Sequence, residues 1–388
     1  MRVWFYAGLS RPFSPQTLDR QGLGGSETAL YYVARELARL GHDVTVLNHC
    51  GSESGTYDRV HYRDLEADRA TWKDMAVRRP PDVLVLFRRM MDVTVRIPAR
   101  LRVFWAHDFQ GVSDTYPPSP VLRRLAVGWR RWTGPLFHRR VDVVFTVSRF
   151  LADQFVWLYR TPPEKLVVVP NGIDPTLFDV CGRESRQPHR LVYTSVPERG
   201  LEQLVREIFP AIRQAIPTAE LHVFSYQSLD AQVGWGVDGV RLHGSVPKSR
   251  LARELCRSSL LVYPSNFDEL GAIAVLEAMA AGTPPVTSMR GVLPELAGDG
   301  TRGIAVAGRP GTAEFAAAFV RATLDLLGDE PRLEAMRRRA REYVMAHHRW
   351  DVIARRWEQE LQARLQKAGA RPRAHDPGRA VRAAGPIR

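Results

Sequence analysis

Cysteine is scarce in this chain. Cys50, Cys181 and Cys256 lie far apart and none stands in C-x-x-C spacing. That argues against a disulfide framework or a structural zinc site, and it favours a reducing compartment. No run of about 18 uncharged apolar residues exists, so no membrane-spanning helix is expected. Met1 to Gly8 reads as a buried strand, not as a charged start followed by a long apolar run, so no signal peptide is expected. There is no short internal repeat and no heptad pattern, and the glycine-rich stretch 21–30 does not have G-x-G-x-x-G spacing. Acidic residues are missing where basic ones gather. Residues 362 to 388 hold seven Arg or Lys against one Asp, so about +6 of the net +13 sits in a Pro/Ala/Arg tail of disordered composition. Six more arginines and no acid fall between Val121 and Arg140. The rest of the chain is close to neutral. That argues against a nucleic-acid-binding body, while a basic patch and tail remain for anionic partners.

What is present is alternation. A length of 388 residues predicts two domains, and 45% hydrophobic with 25% charged residues is ordinary for a globular protein. In the first half R-V-W-F-Y-A-G, H-D-V-T-V-L-N, P-D-V-L-V-L-F, R-V-F-W-A-H-D and V-D-V-V-F-T-V read as strands, with helices over Ser26–Leu40 and Ser148–Leu158. A second series follows: R-L-V-Y-T-S-V, A-E-L-H-V-F-S-Y, V-R-L-H-G-S-V, L-L-V-Y-P-S and T-P-P-V-T-S. Helical patterns close the chain from Gly311 to about Lys367. The expectation is α/β, with two Rossmann-like doubly wound parallel sheets joined between Asn171 and Arg190. Such sheets bind ligands beyond their carboxyl ends, which puts the polar motifs in a shared cleft.

Those motifs follow strands. In Q-G-L-G-G-S-E-T-A-L (21–30), Gly24 and Gly25 open a helix and let backbone amides approach a phosphate; a plain turn is the other reading. W-A-H-D places His107 at the cleft rim, as a site residue or as a structural histidine, with Asp108 available as a helix cap. V-P-N-G-I-D (169–174) carries an Asn-Gly reversal signal. T-S-V-P-E-R-G-L (194–201) opens another helix beside Arg199, a cation for phosphate or a solvated first-turn residue. Residues 266–283, N-F-D-E-L-G-A-I-A-V-L-E-A-M-A-A-G-T, set Glu269 and Glu277 eight apart around a helix start near Gly271. Either Glu277 is solvated on a polar face, or the two carboxylates grip hydroxyls beside an anion held on the helix amides.

In this order the motifs resemble the retaining GT-B glycosyltransferases of glycosyltransferase family 4. The elements that carry it are G-G-S-E, R-L-G-H-D-V-T-V-L, V-S-R-F-L-A, V-P-N-G-I-D, P-E-R-G-L, and above all E-x7-E followed by A-M-A-A-G-T-P-P-V, with H-R-W-D (348–351) near the end. The resemblance covers about residues 1 to 365. It implies an acceptor domain over 1–172, a nucleotide-sugar domain over 173–347, a helix over 348–367 that crosses back, and a basic tail over 368–388. It also implies a UDP- or GDP-hexose donor: Glu269 near the sugar, Glu277 on the ribose, the amides of Leu270, Gly271, Ala272 and Ile273 on the diphosphate, Gly24–Gly25 closing on it, His107 at the sugar, and 243–248 with Val246 at the base. No cofactor is implied. The chain has no D-x-D, so no metal site is expected, and Arg199, with Lys248 or Arg290 contributing, replaces the ion. Two departures stand out. E-L-G-A (269–272) replaces the usual E-G-F-G, and Thr194-Ser195-Val196 stands where the family commonly has an arginine.

The stretch 121–140 reads as a helix with Leu122, Leu125, Ala126 and Trp129 on one side and arginines around it. Either it packs the core with its arginines in solvent, or it is a basic surface helix for anionic lipid or an acidic acceptor. Arg123, Arg124, Arg130 and Arg131 are the acceptor candidates. The protein is expected in the cytoplasm, with peripheral contact at the inner membrane face through this helix. Two further readings stay open: a hydrolysing nucleotide-sugar 2-epimerase of the same fold, and a non-catalytic basic binding protein.

Overall fold

The computed structural model describes residues 1–16, 24–108, 120–225 and 236–370, without the side chains of residues 120, 122, 123 and 368–370. The apolar runs form two sheets. β1 (Arg2–Tyr6), β2 (Asp43–Asn48), β3 (Gly55–Tyr57), β4 (Val60–Asp64), β5 (Val83–Phe87), β6 (Leu101–Ala106), β7 (Val143–Thr146) and β8 (Leu166–Val168) lie in the order β3-β4-β2-β1-β5-β6-β7-β8. Only the β3–β4 pair is antiparallel. β9 (Arg190–Thr194), β10 (Glu220–Phe224), β11 (Val240–Gly244), β12 (Leu260–Tyr263), β13 (Pro285–Ser288) and β14 (Ile304–Val306) follow in the order β11-β10-β9-β12-β13-β14, all parallel. β5, V-L-V-L-F, is buried at every residue, as a central parallel strand covered on both faces must be. The strand order turns at β1 in the first sheet and at β9 in the second, and the loops after β1, β5, β9 and β12 line one cleft.

The last helix, Trp350–Ala370, buries Trp350, Ile353, Ala354, Trp357, Leu361 and Leu365 in the first sheet's core. Trp350 stacks on Tyr32 with ring centroids 5.6 Å apart. The N-G-I-D segment meets it there. Gly172 is not in the left-handed region, so the Asn-Gly pair makes no reversal of that kind. A Cβ on Gly172 would lie 2.8 Å from the Trp350 ring, so glycine is needed for space, while Ile173 bridges Arg349.

Two expectations are corrected. Cys181 and Cys256 form a disulfide across 75 residues, joining the Pro175–Arg183 turn to the Lys248–Arg257 helix. Spacing along the chain could not show this, because tertiary packing brings the two elements together. Cys50 is free and buried. In the Pro120–Arg140 helix, Leu125 and Trp129 do not share a face with Ala126. Ala126 and Val127 pack on the core beside buried Phe137, whereas Leu125 and Trp129 face solvent. Gly134 sets this orientation, since a Cβ there would lie 2.1 Å from the Tyr159 carbonyl of the adjoining Arg149–Tyr159 helix.

Candidate functional site

The E-x7-E segment leaves β12 and turns into a helix at Ile273–Ala280. Ala272, at φ 36°, is left-handed, and the first intrahelical bonds run from Val275 N and Leu276 N to Ala272 O. The amides before Val275 precede the first intrahelical bonds, as at any helix start, and Leu270, Gly271, Ala272, Ile273 and Ala274 line the cleft wall. Glu277, one turn in, stays on the same wall and accepts from Lys248 Nζ at 2.6 Å. Lys248 thus sits against the second carboxylate, at the end of the 243–248 loop that also brings Val246 to the cleft.

Glu269 is 3% exposed and heavily bonded. Arg199 Nη1 donates to both its oxygens, at 2.9 and 2.8 Å. Tyr263 Oη and Ser265 Oγ donate to Oε1 as well. Burial and the neighbouring carboxylate push the Tyr263 phenol above its ordinary value, so it remains a donor. The Arg199 guanidinium also lies 4.7 Å over the Phe267 ring, which leaves it one face on the cleft. Arg290 pairs with Asp268 and is not among the cleft-lining residues.

From the first domain, Gly24 caps the Gly25–Arg39 helix, and a Cβ on Gly25 would reach Ile273 Cδ1 at 3.7 Å. The glycine pair therefore faces the start of the second domain's helix across the cleft. Gly271 meets Asn171 more closely, since a Cβ there would lie 2.2 Å from Asn171 Nδ2, which donates to Gly271 O at 3.4 Å. His107 lies deeper than a rim residue, 9% exposed against Trp105 and Phe87. Burial first, then the Arg88 charge, pushes its imidazole down to about 3, so it is neutral at pH 7.

All of Gly24, Gly25, His107, Arg199, Val246, Leu270, Gly271, Ala272, Ile273, Glu269 and Glu277 line the one cleft. Arg124, Arg130 and Arg131 do not line it; their helix runs elsewhere on the first domain. The Arg123 side chain and the loop that Asp108 was expected to cap lie outside the described residues. Three charged cleft residues were not singled out from sequence, Arg11, Glu27 and Arg88, and neither was Tyr263, which donates to Glu269. Arg88, at φ 68°, follows β5 and donates through Nε to Asp108 at 2.7 Å, with Nη1 3.4 Å from buried Glu27. Their signal is positional: Arg11 and Arg88 follow β1 and β5, the strands at the turn of the sheet order, which only the fold reveals.

A pH prediction follows from His107. Unfolded, it binds a proton near about 6.5; folded, it binds none until about 3. Between those values the unfolded chain holds more protons, so stability falls as pH falls, by roughly 1.4 kcal/mol per unit. Urea unfolding at pH 7.5 and 5 is expected to show a loss about 1–2 kcal/mol larger in the wild type than in His107→Gln. Equal losses in the two proteins would refute the assignment.

Two parallel α/β domains around a cleft of glycine-loop amides, a helix start and paired carboxylates define a GT-B glycosyltransferase. The chain matches the family model described as Glycosyltransferase Family 4 over residues 23–177 and that described as Glycosyl transferases group 1 over residues 188–329, and it belongs to this family. It is 26% identical over 381 residues to a glycogen synthase of Mycobacterium tuberculosis, covering 86% of this chain and 89% of that one. It is 27% identical over 337 residues to an MMP alpha-(1->4)-mannosyltransferase of Mycolicibacterium hassiacum, covering 71% and 80%. Among solved structures, sucrose-phosphate synthase from Thermosynechococcus elongatus superposes with a TM-score of 0.71 at 17% identity, over 94% of this chain and 99% of that chain. HepE of Anabaena, solved with UDP and glucose, gives 0.66 at 15%, over 94% and 100%. Among the described residues no helix is long and apolar enough to cross a membrane.

Proposed function

We propose that the protein moves a hexosyl group from a UDP- or GDP-sugar to a hydroxyl acceptor, with retention at the anomeric carbon and without a metal ion. The observation that carries the proposal is the E-x7-E wall. Glu269 and Glu277 stand either side of a helix start at Ile273, which lies opposite Gly25 across the cleft. A diphosphate between them would meet the helix amides on one side and the glycine loop on the other. Glu277 would take the ribose hydroxyls, and neutral His107 would meet the donor sugar.

In the step itself the bond from C1 to the phosphate oxygen breaks and the acceptor oxygen bonds C1 on the same face. The acceptor proton passes to the departing phosphate oxygen, and the nucleoside diphosphate leaves. The negative charge that develops must be stabilised. Arg11, Arg88, Arg199 and Lys248 all line the cleft, and together with the helix amides they supply positive charge where the chain has no D-x-D. The acceptor, an envelope glycan or lipid or a small natural product, would approach from the first domain.

Calorimetric titration with UDP and then GDP, in EDTA, tests the reading. One nucleotide is expected to bind, and Glu277→Ala to weaken it by about 10–100-fold through loss of charged hydrogen bonds. Binding of neither nucleotide, or an unchanged affinity in Glu277→Ala, would overturn it. Product analysis with donor alone separates transfer from 2-epimerisation.

A further inference from the structure

We propose that the Pro120–Arg140 helix seats the protein on an anionic lipid surface. Val121, Leu125, Trp129, Trp132 and Leu136 recur at helical spacing, and each is 51–69% exposed. They are five of the twelve exposed large hydrophobic residues among those described, drawn into one stripe. The helix has already met its packing needs on another face, through Gly134, Phe137, Ala126 and Val127, so the stripe is not a core face left uncovered by chance. Scattered exposed apolar residues need no explanation, but a continuous stripe does. The adjoining Arg149–Tyr159 helix adds exposed Val156 and Trp157.

The chemistry around the stripe selects the occupant. Arg124, Arg139 and Arg140 are exposed, and no acidic residue occurs anywhere in the helix. Indole rings favour the boundary between headgroup and hydrocarbon, and arginine side chains reach from there to phosphate groups. An apolar stripe flanked by arginines is the pattern of a helix lying in an anionic interface. A second copy of this chain fits less well, because two-fold pairing of the face would bring two arginine-rich helices together with no carboxylate between them.

The test is co-sedimentation of the full chain with vesicles of phosphatidylglycerol and phosphatidylcholine, and with pure phosphatidylcholine. Binding is expected to the mixed vesicles only, to fall as salt rises, and to weaken about tenfold or more in Trp129→Ser/Trp132→Ser. Circular dichroism and the thermal midpoint of the double variant are expected to match the wild type, since both rings are exposed. Binding that survives the two serines would assign the attraction to the basic tail and overturn the proposal. So would vesicle-free self-association that the two serines abolish, since it would make the stripe a protein interface. These readouts need no nucleotide, so they fail or succeed separately from the transferase reading.

Discussion

Glu269→Gln is expected to lose about two to three orders of magnitude in kcat/KM for sugar transfer while keeping its fold. The carboxylate is buried and shared by three donors, Arg199, Tyr263 and Ser265. Glutamine has the same shape and its carbonyl oxygen can still accept from the two hydroxyls on Oε1. It removes the negative charge that fixes the Arg199 guanidinium with two contacts and puts an amide N–H where an acceptor stood. Breaking the pair leaves the Arg199 charge uncompensated, and because that side chain is one-third exposed the cost is below the value of about 3–5 kcal/mol for a fully buried pair. In a cleft meant for a diphosphate the released guanidinium would turn toward the phosphate or away from it, and either move disturbs the donor sugar. Arg199→Met is expected to lose a similar amount. The double variant should be no worse than the poorer single one, because the two side chains act as a unit. Nucleotide release from UDP- and GDP-sugars, measured with acceptor present, gives the rates. Activity of Glu269→Gln within about threefold of the wild type, or fully additive losses, would refute the coupling.

That pair also shows where sequence reading stops. Glu269 and Arg199 each stood out within its own motif, but 70 residues separate them. They meet only because β9 and β12 are neighbours in the sheet. The long apolar strands were legible because each alternates or runs apolar for four or more residues between turn signals. β3, β4, β8 and β14 were not, and three of these have only three residues. The β3–β4 turn is made by Asp58 and Arg59, both at positive φ, where a reader expects Asn-Gly or Asp-Gly. Arg88 follows a strand that was read correctly, yet its place in the cleft depends on β5 lying next to β1, an order no local pattern encodes. The arginine-rich helix was foreseen, but its facing was not. Hydrophobic periodicity gives a stripe without saying whether the stripe turns in, and Gly134 against the Tyr159 carbonyl decides that it turns out.

Gly291→Ala should cost about 3–4 kcal/mol of stability in the second domain and lower its thermal midpoint by roughly 6–16 °C. Gly291 sits at φ 58°, a left-handed conformation that costs a residue with a Cβ about 1–2 kcal/mol. The larger cost is steric. A Cβ there would lie 2.0 Å from Glu269 O and 2.5 Å from Glu269 N, and both are backbone atoms that cannot swing aside. Val292 N donates to Glu269 O at 2.7 Å, so the loop after β13 grips the very residue that orients Arg199. Relief of the clash must move the Glu269 backbone or break that bond. Gly291→Ala is therefore expected to lower transfer activity as well, even below its unfolding midpoint. Gly300, at φ 81° and with nothing near its would-be Cβ, provides the control. Gly300→Ala should carry only the conformational cost of about 1–2 kcal/mol and leave turnover unchanged. If the two alanines destabilise equally, or if Gly291→Ala keeps full activity, contact with the Glu269 backbone is not what holds the first carboxylate in place.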